Sequence, residues 1–338
     1  MIPSSQVAPN YNHLHLVQQV DRGHRHGTLG SHHAAFEDAT ERGIRKAYFG
    51  FIDVEQALPP CLAAYKKNPK NSRVQAQLAR LYFQQGKFVE GVELAKSSMK
   101  EQRISLVLLA YAYRHGIGGY SIDLPEAVKL LQQGVDKGEP EAMSDRSGAF
   151  AQGKGVDKDE KRALDLLQRA ADTGELEAIY HLAGVRFTGR LGANKDVDEG
   201  LRLMQKSADS GLPIAQLRLG MILASREKRM TPEAHRYITS AREQMERFSR
   251  QGSAWARAVL GEIYEKGIGI PKDQAKAIDL YRMAASHSNV TAMTRLGIVY
   301  LDGIGTEKNL SEARQWLEKA AKMGSDAAEK KLKEIGGG

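Results

Sequence analysis

The chain has 338 residues, with 49 Lys and Arg against 41 Asp and Glu, a formal charge of +8, 41% hydrophobic residues and one cysteine, Cys61. A lone cysteine excludes an intrachain disulfide, and the longest apolar run, around Ser105 to Tyr113, is too short to span a bilayer, so no membrane span is expected. Basic residues stand beside acidic ones almost everywhere, so the positive balance does not by itself indicate nucleic acid, and none is expected as a partner.

The first 45 residues hold six of the ten histidines, His13, His15, His24, His26, His32 and His33. His-x-His and His-His spacings can bind a transition metal. No cysteine or carboxylate frame accompanies them, and Gly, Ser, Pro and Asn are frequent with little periodicity, so residues 1–45 are expected to be a disordered extension without a metal site. Met1 to Val17 lacks the apolar core of a secretory signal, which makes a cytoplasmic location the expectation; a periplasmic or signal-independent secreted one is the alternative. Residues 46–103 read as helical, with Asn68-Pro69-Lys70-Asn71 as a break before Leu78-Ala79, Tyr82, Gly86 and Phe88.

From residue 104 the chain repeats. Alanine anchors recur at Ala142, Ala178, Ala215, Ala256, Ala292 and Ala328, and a glycine precedes the anchor by four residues at Gly138, Gly174, Gly211, Gly252 and Gly324, with Ser288 in the remaining place. Such a period makes the chain a stack of like units that bury their apolar faces against one another, producing an elongated surface in place of a closed pocket. Within a unit, Leu-Gly or a near match follows the anchor at +4 and +5 (Leu182-Ala183, Leu219-Gly220, Leu260-Gly261, Leu296-Gly297), and an aromatic follows at +8 (Phe150, Tyr264, Tyr300). These spacings predict a first helix with one buried stripe and a small residue where a second helix approaches. Glycine pairs (116/118, 153/155, 267/269, 303/305) then predict a left-handed helix end and a turn. Asp123, Asp159, Asp196, Asp273 and Asn309 stand four residues before a small residue and predict the N-caps of the second helices.

Two units depart from the pattern. Arg146 occupies a +4 leucine place beside Asp145; it either snorkels to a partner or is exposed at a local irregularity. The unit beginning near 212 lacks the glycine turn, has Thr231-Pro232 as cap and first helical residue, and carries a longer second helix reaching Gln251. Its basic residues, from Arg226 to Arg250, form either a solvated face or a phosphate-binding stripe.

The copies Ala256 to Ser288 and Ala292 to Gly324 carry the pattern most fully, and the chain resembles the Sel-one-like repeat family, relatives of the tetratricopeptide repeat, over roughly residues 46–335. Six Sel-one-like units are expected over 104–324, starting near 104, 139, 175, 212, 253 and 289. A tetratricopeptide-like region over 46–103 precedes them, and a capping helix and tail over 325–338 follow. The resemblance implies an all-α fold, a right-handed superhelical α-solenoid of helix-turn-helix repeats. It also implies a non-catalytic adaptor for protein partners, with bacterial signalling, envelope or polysaccharide-export assembly, and host interaction among the settings.

No nucleophile, base and acid share a motif, and the Gly-x-Gly elements follow helices and lack the Walker lysine, so they read as turns; no catalytic residue, cofactor or metal is expected. In stacks of this kind the first helix of each pair lines the concave side, which places offsets -1, +2, +3, +6 and +9 there. The residues expected to bind a partner peptide or helix are Tyr180, His181, Phe187, Leu217, Arg218, Met221, Trp255 and Glu262. Any of them can instead be consumed by contact with the next unit. Two alternatives are a regulator whose activity depends on the N-terminal extension, and nucleic-acid binding through the basic stretch.

Overall fold

In the computed structural model, which describes residues 52–336, every regular element is a helix. In chain order these are α1 (Val54–Lys67), α2 (Ser72–Gln84), α3 (Phe88–Ser98), α4 (Ile104–His115), α5 (Leu124–Asp136), α6 (Pro140–Gln152), α7 (Glu160–Asp172) and α8 (Leu176–Thr188). They continue with α9 (Val197–Asp209), α10 (Pro213–Arg226), α11 (Pro232–Arg250), α12 (Ala254–Lys266), α13 (Gln274–Ala285), α14 (Val290–Asp302), α15 (Leu310–Lys322) and α16 (Asp326–Gly336). Each helix packs on the next, and even-numbered helices of neighbouring units also touch along α2, α4, α6 and α8. Closer contact on that side curves the stack, with the even helices inside, into the right-handed solenoid.

The boundaries have local causes. Asp123, Asp159, Asp196, Asp273 and Asn309 each accept a hydrogen bond from the third amide of the helix they cap, at 2.9, 2.9, 2.9, 2.9 and 3.0 Å. The first helices end on left-handed glycines: Gly116, Gly153, Gly189, Gly267 and Gly303. In the unit without a glycine turn, α10 ends at Arg226 and Lys228 takes the left-handed conformation at φ 53°, just as Ser288 (φ 60°) does in the glycine series. Thr231 caps α11 through the Ala234 amide at 3.1 Å.

The small residue at +5 is where the two helices of a unit meet. A Cβ on Gly261 would lie 2.5 Å from the Tyr281 ring, and one on Gly297 2.5 Å from Leu317. Ser147 holds the same place by donating to the Ala163 carbonyl at 2.6 Å. Buried apolar residues form a core that runs from Ile52 to Leu280 and a second from Ala258 to Ala328, the two meeting at α12 and α13.

Arg146 snorkels: its guanidinium lies 4.9 Å from the centre of the Phe150 ring, so the partner is an aromatic face. Its neighbour Asp145 is buried and faces Arg114 of the preceding unit at 3.8 Å. The histidine-rich segment lies outside the described residues.

The stack also folds back on itself. The Gln251 side chain accepts from the Val54 amide at 3.2 Å and donates to Asp53 Oδ1 at 2.9 Å, across 197 and 198 residues. Gly86 lies against His287, and Gly252 against Gln85. Further along, the Lys154 ammonium meets the Gly324 carbonyl at 3.1 Å and the Asp326 carboxylate at 2.9 Å. The elongated surface expected from the repeat is therefore a superhelix whose successive turns touch, turn residues of one against turn residues of the next.

Candidate partner-binding face

The inner wall is built from the even helices, and the +3 offset runs along it as Asp145, His181, Arg218, Val259 and Arg295. Two charged side chains at this offset face the previous unit's +9 residue. Asp145 faces Arg114, and Arg295 donates to Glu265, with the signs exchanged. Glu265 also accepts from the Tyr281 hydroxyl at 2.7 Å, so this one carboxylate joins α12, α13 and α14.

The +9 offset was expected on the concave side. It sits at the junction of its own second helix with the next first helix, because the left-handed glycine two residues later turns the chain toward that second helix. Phe187 follows this rule, its ring lying 3.1 Å from the Cβ position of Gly200 in α9.

The other expected residues are placed as follows. Tyr180 and His181 are half-buried neighbours whose rings are 5.2 Å apart. Burial pushes the His181 imidazole down to about 4, so it is neutral at physiological pH. Arg218 and Met221 on α10 and Trp255 on α12 are half-buried, whereas Leu217, 4% exposed, belongs to the core. Glu262, at the same offset as Met221, is half-buried too and pairs with Lys266 at 2.5 Å.

Carboxylates gather where α6 and α8 begin. Glu175 caps α8, accepting from the Glu177 and Ala178 amides at 3.0 and 2.6 Å; burial nevertheless pushes it well above the usual range. Glu139 meets Arg103 at 2.9 Å, yet burial, with Glu141 beside it, pushes it up to about 9. A cleft between α2, α4 and α6 opens at this place, lined by Arg73, Arg80, Arg103, Glu139 and Glu141 among others. Sequence reasoning missed this acidic end and the contact between turns; glutamates recurring three and one residues before the anchor, Glu139 and Glu141, then Glu175 and Glu177, were the available signal for the first.

The basic stretch is divided. Arg226, Lys228, Arg229 and Arg236 are exposed, while Arg242 pairs with Glu246 at 2.8 Å and Arg247 lies 5.2 Å from the centre of the Phe248 ring. Among the described residues no group of three or more His, Cys, Asp or Glu is arranged to hold a metal, and no helix is long and apolar enough to cross a membrane.

The Sel1 repeat model matches residues 104–139, 140–174, 176–212, 256–289 and 290–325. The intervening α10–α11 pair, with its altered turn and long second helix, is not matched. Human protein sel-1 homolog 2 is 30% identical over 133 residues, 39% of this chain and 19% of that protein. Chitin synthase regulator SKT5 of Saccharomyces cerevisiae is 28% identical over 247 residues, 70% of this chain and 35% of that protein. The chain thus spans about a fifth to a third of the length of these relatives. A Sel1 repeat protein from Oxalobacter formigenes is similar in structure, at 26% identity and a TM-score of 0.41, over 73% of this chain and 99% of that one.

Proposed function

The chain belongs to the Sel1 repeat family, whose repeats mediate protein–protein interaction without catalysis, and from that premise we propose that it is an adaptor holding a segment of a partner protein on the wall of even helices. The observation that carries the reading is a run of half-buried side chains, Tyr180 and His181, then Arg218 and Met221, then Trp255, on three successive inner helices, α8, α10 and α12. Tyr, Trp, Arg and Met are the types that supply most binding energy when a partner desolvates them, because large rigid or forked side chains bury much area for little entropy. Core packing already holds the backbone under them, so binding orders few new groups.

The test compares the wild type with the Tyr180→Ala/Arg218→Ala/Trp255→Ala variant in affinity capture from cell extract, with helix content checked by circular dichroism. A partner held by the wild type and lost by the folded variant is the expected result. Equal capture would remove this face from consideration.

A further inference from the structure

We propose that the contact between superhelical turns is a latch, and that opening it gives a partner access to the inner wall from the side. The proposal rests on the adaptor reading in locating the bound segment on that wall, and its test needs no partner.

The contact has two parts. At the first, the Gln251 amide bridges the Asp53 carboxylate and the Val54 N–H, capping the start of α1 from almost 200 residues away. Gly86, at φ +74°, packs on His287 beside it. At the second, Lys154 reaches the C-terminal corner at Gly324 and Asp326. Successive units are joined by long runs of buried Leu, Ala and aromatic side chains, whereas the turn is closed at a few points: two hydrogen bonds of the Gln251 amide, buried with Asp53 and Val54, contacts of Gly86 with His287 and of Gly252 with Gln85, and Lys154 on the Gly324 carbonyl and on Asp326, which is 69% exposed. The two kinds of joint therefore differ in strength. Apolar burial grows with area and survives salt; an exposed ion pair is weak and screened. A solenoid also distributes a change of pitch over many units as a small rotation in each, so parting the turns strains no single interface. The turn closes and opens at these residues while the stack itself stays intact.

Two kinds of variant test this. In Gly86→Cys/His287→Cys the Cβ position of residue 86 lies 3.7 Å from that of residue 287, inside the roughly 3.5–4.5 Å range of a disulfide; oxidation should lock the turn and reduction release it. In Gln251→Ala/Lys154→Ala the latch is weakened without a left-handed position being touched. Small-angle scattering should show a larger radius of gyration for the weakened protein than for the wild type, and no increase for the oxidised lock.

Access is then read on Arg218→Cys in a Cys61→Ala background. The weakened latch should raise its rate with a bulky polymer-tagged maleimide about tenfold, following the loss of the amide pair. Iodoacetamide, which is small enough to enter a closed turn, should react unchanged. Equal radii for weakened, locked and wild-type proteins, or a polymer rate independent of the latch, would overturn the proposal. Neither readout involves a partner, so a failure of the adaptor reading appears separately, as undiminished capture by the triple variant.

Discussion

Glu265→Ala should cost the C-terminal units far more than the rest of the chain. The carboxylate is 8% exposed and accepts from two groups, the Tyr281 hydroxyl at 2.7 Å and the Arg295 guanidinium. Removing it strands a phenol that is 1% exposed and a guanidinium whose side chain is 31% exposed. Breaking a fully buried pair costs about 3–5 kcal/mol; the partial exposure of Arg295 lets water replace part of the loss, which lowers the expectation to about 2 kcal/mol. Because the apolar core divides at α12 and α13, this loss should act locally. Repeat arrays can open unit by unit, so hydrogen exchange is the proper assay rather than a single melting curve. Amides of α13 to α15 should exchange roughly thirtyfold faster, and those of α4 to α8 at the wild-type rate. Tyr281→Phe, which removes one charge-assisted hydrogen bond, should cost about 1.5 kcal/mol and couple to Glu265→Ala in a double-mutant cycle. An acceleration below about threefold, or one spread evenly along the chain, would show that the network does not hold the junction.

The other predictions concern packing and pH. Gly261→Ala should destabilise by about 1–3 kcal/mol because the buried Tyr281 ring must move, outweighing the gain in helix propensity. Gly148→Ala, where the added Cβ meets nothing within 4 Å, should instead stabilise α6 by up to about 1 kcal/mol; urea titration of both variants checks the contrast, and the same sign for both would refute the close-approach argument. Glu139, raised from 4.5 to about 9 by burial and Glu141, holds a proton in the fold that the unfolded chain has released at neutral pH. Its contribution is complete below pH 4.5 and declines as pH rises toward 9, so the wild type should melt higher at pH 5 than at pH 8. Glu139→Gln should flatten that dependence, and a wild type that melts higher at pH 8 would contradict the sign.

The helix boundaries were legible because they depend on neighbours in sequence. An aspartate three residues before an amide caps it wherever the unit sits, and the five predicted caps are made at nearly one distance. The candidate face was legible only in part. Offsets told which helices line the inner wall, but Phe187 turned toward Gly200 and Leu217 into the core, since the direction of a side chain at a helix end depends on how the next turn bends. Arg146 showed the same limit: a charge in a leucine place announced an irregularity, and only the position of the Phe150 ring decided how it is accommodated.

The repeat period, the two helices of each unit, their caps and turns, and the family itself were determined by the amino-acid sequence alone, because each depends on interactions within one unit or between adjacent ones. Tertiary structure alone decided that Asp53 meets Gln251, Gly86 meets His287 and Lys154 meets Asp326. Those contacts depend on the summed rotation of about five units, in which a small angle at each joint, including the irregular one at α10 and α11, is multiplied along the stack until it decides whether two distant turns touch.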